Sequence, residues 1–276
     1  MLAAAKVLGV NQSTVQRRLA ELEKHLGRRL ITRHLTGYRL TKLGQELQPS
    51  AERVEEVITA FERHLSACDK GLSGTVRVTM GPVLADRFRR TPLIDAFQKL
   101  HPSLRLELVI SDRLLDLSKG EADVAIRAGN RQDDNLVGRK VADAPWAVFA
   151  SRSYIDSHGG PECIEDIERH LVVGCHGVIA DLPGPRWLRS VAPNATVAAR
   201  CDNWSALVLA VRSGAGIAPL LAYQQASELV RVIDNIELKT PFFLLMHRDM
   251  QRTPRVRAFA DFVTREIKTF RALVCG

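Results

Sequence analysis

Gln12, Ser13, Gln16, Arg17 and Arg18 lie close together near the start of the chain, and all five side chains can address nucleic acid. A glutamine amide bridges N6 and N7 of adenine, an arginine forks onto O6 and N7 of guanine, and a serine hydroxyl bonds to either kind of base edge. Further on, Arg33 and Arg39 bracket a short turn. Guanidinium groups there suit phosphate oxygens, contacts that orient a protein on DNA without reading its sequence. Elsewhere, chemistry-capable residues do not converge. The eight histidines form no H-E-x-x-H or other ligand spacing, the five cysteines include no C-x-x-C, and there is no G-x-S-x-G or P-loop. Gly214-Ala215-Gly216 follows a helical stretch instead of a strand, so it reads as a helix stop and tight turn, not a dinucleotide fingerprint. Cys175, His176, Asp202 and Ser205 have no spacing that makes a nucleophile of any of them. Thiol sensing by Cys175 or Cys201 competes with the commoner reading of cysteines packed in a core. No enzymatic activity, metal or cofactor is expected.

The DNA-directed side chains need elements to hold them. Ala3 to Leu8 is a strong helix former that stops at Gly9, a residue type suited to the left-handed backbone of a helix end. Asn11 is a good N-cap for a second helix running to about His25, with Val15, Leu19, Leu22 and Leu26 as its buried stripe. The five polar residues lie off that stripe, at its N-terminal end. Gly27 closes the helix, and Leu30–Arg33 and Tyr38–Thr41 read as two short strands around a tip at 34–37, a β-wing. This pattern fits a helix-turn-helix whose second helix enters a major groove; an ordinary helical hairpin with a solvated polar face fits it too.

Charge sharpens the choice. The chain has 276 residues and a formal charge of +8. Residues 1–48 hold nine basic and three acidic side chains, a net +6, whereas residues 74–246 are neutral and 247–276 carry +4. A small basic module joined to a large neutral body points to a polyanion partner. At 46% hydrophobic and 25% charged residues, the composition excludes a disordered or fibrous chain. Apolar runs such as 207–211 and 241–246 fall far short of the roughly 18–20 residues that span a bilayer. With no secretory leader pattern and scattered cysteines, a reducing cytoplasm is the expected location.

The run Ala4-Ala5-Lys6-Val7-Leu8-Gly9-Val10-Asn11-Gln12-Ser13-Thr14-Val15-Gln16-Arg17-Arg18-Leu19 closely resembles the helix-turn-helix of LysR-type transcriptional regulators. So does Leu22-Glu23-Lys24-His25-Leu26-Gly27-Arg28-Arg29-Leu30-Ile31-Thr32-Arg33, with Arg39-Leu40-Thr41-Lys42-Leu43-Gly44 completing the wing. The resemblance implies a winged helix-turn-helix, a dimerising linker helix, and an α/β effector domain resembling a two-lobed type 2 periplasmic binding protein. It implies that Gln12, Ser13, Gln16 and Arg17 face bases, that Arg33 and Arg39 lie near the DNA backbone, and that the protein works as a homodimer or homotetramer. Double-stranded DNA, a small-molecule effector and RNA polymerase are the implied partners, and no membrane is. Two features depart from the family pattern. Gln16 stands where a serine is usual, and one helix of the pattern would precede Ala4. The second departure leaves two expectations: a start placed too far downstream, or a shortened head with impaired DNA binding that leaves a small-molecule binding protein.

The expected division is 1–48 for the DNA-binding head, 49–73 for the linker and 74–276 for the effector domain. After Pro49, Ala51, Val54, Ile58, Phe61, Leu65 and Cys68 alternate at spacings of three and four, an a/d seam suited to dimerisation through Val54, Ile58, Phe61 and Leu65. A helix packed on its own domain is the competing reading. From residue 74 onward strands and helices alternate. The candidate strands are 75–80, 104–110, 123–127, 146–151, 171–174, 196–201, 217–220 and 242–247, and the candidate helices are 87–100, 206–212 and 254–270, with mostly parallel sheets expected. The resemblance implies lobes of 74–145 plus 247–276, and 146–246. Ligands in such folds bind beyond strand ends. This nominates Gly81, Pro82 and Val83, Arg127 and Gly129, His176, Trp204 and Ser205, and Pro219 as effector-binding residues, each competing with a plain packing or turn role. Pro82 stands where the family commonly has a hydroxyl residue and removes one amide, which argues against a simple carboxylate held there.

Overall fold

The computed structural model describes residues 2–34, 37–68, 71–129, 133–224, 227–234 and 236–275. The expected wing-tip residues Leu35 and Thr36, and the side chains of Val7 and Cys68, lie outside the described set. The chain divides into two compact units, Met1–Phe61 and Glu62–Gly276.

In the first unit, α1 (Leu2–Val7) and α2 (Gln12–Leu26) form the helix-turn-helix. Gly9 and Gly27 take φ values of +62° and +64°, the left-handed conformation that L side chains adopt at a cost, so both helices end where glycine permits it. Asn11 adopts the extended N-cap backbone, although its side chain makes no capping bond. The wing is β1 (Ile31–His34) and β2 (Gly37–Leu40), paired antiparallel. Thr41 then starts a helix: its hydroxyl accepts the Gly44 amide at 3.0 Å and donates to the Arg29 carbonyl at 2.9 Å. Accordingly α3 runs unbroken from Lys42 to Cys68 with Pro49 inside it. The expected boundary at 48/49 therefore falls within a helix, and Lys42–Gly44 belong to that helix and not to the wing. Proline there removes one backbone rung, and the Thr41 cap starts the helix ahead of it.

The second unit is built on a seven-stranded sheet. Its elements are β3 (Gly74–Met80), α4 (Pro82–Arg89), α5 (Leu93–Leu100), β4 (Leu104–Ile110), β5 (Val124–Ala128), β6 (Leu136–Ser151), α6 (Arg152–His158), β7 (Val172–Cys175), α7 (Pro183–Val191), β8 (Val197–Cys201), α8 (Trp204–Arg212), β9 (Ala218–Leu221), β10 (Leu229–Ile233), β11 (Lys239–His247), α9 (Pro254–Arg265) and α10 (Ile267–Cys275). The strand order is β10-β6-β11-β5-β3-β4, with β9 also on β6 and with β7 and β8 as a separate parallel pair. Only β3 pairs in parallel within the large sheet, with β4 and β5; β6 runs antiparallel to β9, β10 and β11, and β11 antiparallel to β5. The sheet is mixed, correcting the expectation of mostly parallel strands. Residues 136–145 of β6 pair with β11, and residues 146–151 pair with β9 and β10, so one long strand serves two neighbourhoods. Strand β11 pairs along its length with β5 and β6, so the expected lobe boundary at 246/247 lies at its far end.

The core explains the helix positions. Val76, Val78 and Met80 alternate inward from β3, and Phe97 of α5 meets Phe259 and Phe262 of α9 edge-on, with ring centres at 5.4 and 5.2 Å. The expected helix 87–100 is two helices, because Pro92 interrupts the backbone and becomes the N-cap of α5; Leu93 and Phe97 of α5 are buried, and Leu100 at its end is exposed. Likewise 254–270 breaks at Glu266, and Phe270 of α10 packs against Phe88 of α4 at 5.7 Å. Among the described residues, no helix is long and apolar enough to cross a membrane.

Candidate DNA-reading face and ligand cavity

The polar residues at the start of α2 are all exposed: Gln12, Ser13, Gln16, Arg17 and Arg18. Of the apolar stripe expected to be buried, Val15 and Leu19 are half-buried, whereas Leu22 and Leu26 are exposed at 48% and 43%. Two contacts connect this helix to the wing. The Gln16 amide donates to the Tyr38 hydroxyl at 3.3 Å. More firmly, one carboxylate oxygen of Glu23 accepts the amides of Leu30 and Ile31 at 2.7 and 3.0 Å, holding the entry of β1 against α2. Glu23 was invisible as a functional residue in the sequence, where it reads as one more solvated charge. Glu23→Ala leaves both amides without that acceptor, and a hydrogen bond to a charged group contributes about 1.5–3 kcal/mol. A loss of that order in urea unfolding of the head is expected, with Glu23→Gln losing less.

In the wing, Arg33 pairs in register with Tyr38, and Thr32 with Arg39. Neighbouring positions on a strand face opposite ways, so Arg33 shares the Tyr38 face whereas Arg39 points to the other. The two guanidiniums flank the wing instead of forming one clamp. Along α3, Val54, Ile58, Phe61 and Leu65 are 59%, 54%, 67% and 63% exposed, so nothing among the described residues covers the seam.

In the second unit the nominated residues separate into groups. Gly81 is the N-cap of α4 and Pro82 its first residue. Pro82, Val83 and Ser205 line one cavity of about 340 Å³. Its walls come from two helices, each presenting residues at i, i+3, i+4 and i+7: Val83, Asp86, Arg87 and Arg90 at α4, and Ser205, Val208, Leu209 and Arg212 on α8. That spacing was the available signal for Arg87, Arg90 and Arg212, which sequence reasoning missed. Tyr223 and Gln224, from the 3-10 turn after β9, and Leu229 at the start of β10 complete the lining and carried no local signal.

Asn203 caps α8 by accepting the Ala206 amide at 2.9 Å, which places Trp204 and Ser205 at the helix entrance. Trp204 packs edge-on to Trp146 at 5.6 Å. Pro219 lines a different cavity, of about 130 Å³, with Cys175, Arg189 and Arg200. Arg127 lies outside both; it reaches toward the Leu115 carbonyl at 3.5 Å, and burial pushes its guanidinium below the usual arginine range. Gly129 bonds to the Pro241 carbonyl, and His176 is exposed at the end of β7. Cys175 and Cys201 are register partners on β7 and β8, and burial raises the Cys175 thiol to about 11, which suits packing and not reactivity.

The electrostatics of the 340 Å³ cavity are cationic. Arg90 and Asp86 pair at 2.7 Å, and Arg212 pairs with Glu228. Arg87 donates to the main-chain carbonyl of Tyr223. Burial lowers its guanidinium below the ordinary range, and the charge of Arg90 adds to that effect. The Tyr223 phenol is raised by burial.

Comparison with known proteins agrees with this architecture. Residues 1–45 match the model of the bacterial regulatory helix-turn-helix protein, lysR family, and residues 69–268 match the LysR substrate binding domain. An HTH-type transcriptional regulator of Xanthomonas campestris pv. campestris (strain 8004) is 34% identical over 169 residues, which is 61% of this chain and about half (49%) of that relative. The HTH-type transcriptional regulator CrgA of Neisseria meningitidis serogroup C (strain 8013) is 27% identical over 278 residues, covering 96% of this chain and 91% of its own. The full-length structure of the Vibrio cholerae virulence activator AphB shares the fold at a TM-score of 0.62 and 22% identity, over 95% of this chain and 92% of that one. With a helix-turn-helix at one end, a substrate-binding domain over most of the rest, and both models matched in order, this chain belongs to the LysR family of bacterial transcriptional regulators.

Proposed function

We propose that this LysR-type regulator reads a two-fold-related site on double-stranded DNA as a dimer, and that a small molecule bound in the second unit biases its conformation. Gln12, Ser13, Gln16 and Arg17 meet base edges, while Arg18, Arg33 and Arg39 meet phosphates, Arg33 and Arg39 from opposite faces of the wing. The α3 seam of Val54, Ile58, Phe61 and Leu65 joins two copies, so half-sites fall roughly 10 bp apart or a multiple of that. The effector site draws on Pro82, Val83 and Ser205, with lobes of 74–145 plus 239–276 and of 146–238. A cytoplasmic regulator of this kind acts on RNA polymerase at the promoter it occupies.

The observation that carries the reading is the exposed run of base-reading side chains on the first turns of α2, braced by the Glu23 contact to a wing with an arginine on each face. The test is a salt titration of DNA binding: phosphate contacts make log affinity fall linearly with log salt. Arg17→Ala is expected to cost about 1–3 kcal/mol and relax preference at one base position, whereas Arg39→Ala weakens all sequences alike and flattens the salt slope. Equal losses on every sequence from both substitutions would overturn these roles.

A further inference from the structure

We infer that the cavity between α4 and α8 takes a small organic acid anion, its head bound by Arg87, Gln224 and Ser205 and its body resting on Val83, Val208 and Leu229. This rests on the effector-binding reading above and adds the chemical class. Gln224 is only 5% exposed, and beyond an interaction with the neighbouring Tyr223 phenol its Nε2 has no well-formed hydrogen bond among the described residues. The Ser205 hydroxyl is buried and without a partner among them. Both line the same cavity. Buried donors left unpaired are costly and uncommon in folded proteins, and two at one cavity mark a place that an acceptor completes.

Charge selects the acceptor. Amide and guanidinium nitrogens only donate, so the free positions call for an acceptor-only head. Arg90 and Arg212 each have a carboxylate, in Asp86 and Glu228. Arg87 makes no salt bridge among the described residues; its bond goes to the neutral Tyr223 carbonyl, and burial and the neighbouring Arg90 disfavour its charge more than Asp86, the smallest of the influences on it, favours it. A bound anion relieves all three groups at once, whereas a cation would face an uncompensated guanidinium. The apolar walls and a volume near 340 Å³, within the range of small-ligand sites, favour an organic body over inorganic phosphate. Pro82 also explains why the head sits here: it removes an amide from the α4 N-terminus, where an anion would otherwise be cradled.

The test is titration calorimetry on the full chain with benzoate and hexanoate against their neutral analogues benzamide and hexanamide. The acids are expected to bind at least tenfold more tightly than the amides. Arg87→Gln is expected to erase that preference. Gln224→Leu should lower acid affinity tenfold or more while raising the melting temperature of the unliganded protein, since it removes an unpaired buried donor; a purely structural role would move both in the same direction. Equal affinity for acids and amides, or acid affinity unchanged in both variants, overturns the assignment. A parallel thermal-shift screen of neutral and cationic compounds separates the two readings. If no acid binds but another class stabilises the protein, and that effect disappears in Leu209→Trp, which blocks the cavity at an exposed position, the anion class is wrong and the effector reading stands. If no compound of any class binds, both fall.

Discussion

Phe61→Asp is expected to turn the protein from a dimer into a monomer in sedimentation analysis. Val54, Val57, Ile58, Phe61 and Leu65 expose more than half of their surface along one 27-residue helix. Burying such a seam against a second copy gains roughly 25 cal/mol for each Å² of apolar area removed from water. In the proposed dimer, an aspartate at Phe61 places two like charges, related by the two-fold axis, where that apolar surface would meet its copy. Joining two DNA-binding heads raises affinity by roughly 10²–10⁴ over one head, so binding to a DNA with two half-sites should fall at least about a hundredfold, with single half-site binding unchanged. Phe61→Leu keeps the seam apolar and should remain dimeric. A Phe61→Asp protein that still sediments as a dimer would remove α3 as the dimerising element.

Trp146→Ala carries the largest expected cost in stability. Trp146 is 2% exposed and sits where β6 changes partners, with Pro145 opposite Lys239 of β11 and Trp146 opposite Leu221 of β9. Its indole donates to the Thr240 hydroxyl at 2.8 Å, and its backbone amide bonds to the Leu238 carbonyl at 3.0 Å. A Cβ added at Gly184 would lie 2.2 Å from its ring, so α7 packs directly on it. Truncating a large buried aromatic costs about 3–5 kcal/mol, and the Thr240 hydroxyl would also lose its partner. Trp146→Phe retains most of the packing and should cost only the unmade hydrogen bond, about 1–3 kcal/mol. Urea unfolding followed by circular dichroism measures both. In the alanine variant the entrance of α8 also loses the wall against which Trp204 packs, so ligand affinity should fall more than in the phenylalanine variant.

Local structure is legible where few residues settle the conformation. The two glycine stops, the 3.6-residue stripe of α2, the two wing strands and the apolar seam of α3 each arise from neighbours within a turn or two, and the sequence displayed them directly. The cap at Thr41 is equally local, and α3 continues through Pro49 with one backbone rung missing. Strand directions were not legible in the same way. Alternation in 242–247 showed a strand, but its partners, β5 and β6, lie more than ninety residues back, and nothing in the alternation states whether they run parallel or opposed.

The sites divide along the same line. Exposure and residue type on one helix were enough to nominate Gln12, Ser13, Gln16, Arg17 and Arg18, because a recognition surface on a single helix is set by its own period. The cavity between α4 and α8 brings Arg87 to the carbonyl of Tyr223, 136 positions apart, and the pairing of β6 with β11 brings Trp146 to Thr240, 94 positions apart. Such meetings depend on how β6 and β11 pair and how α4 and α8 then pack, so a composition of scattered arginines, a serine and a glutamine becomes one cationic pocket through long-range register and burial alone.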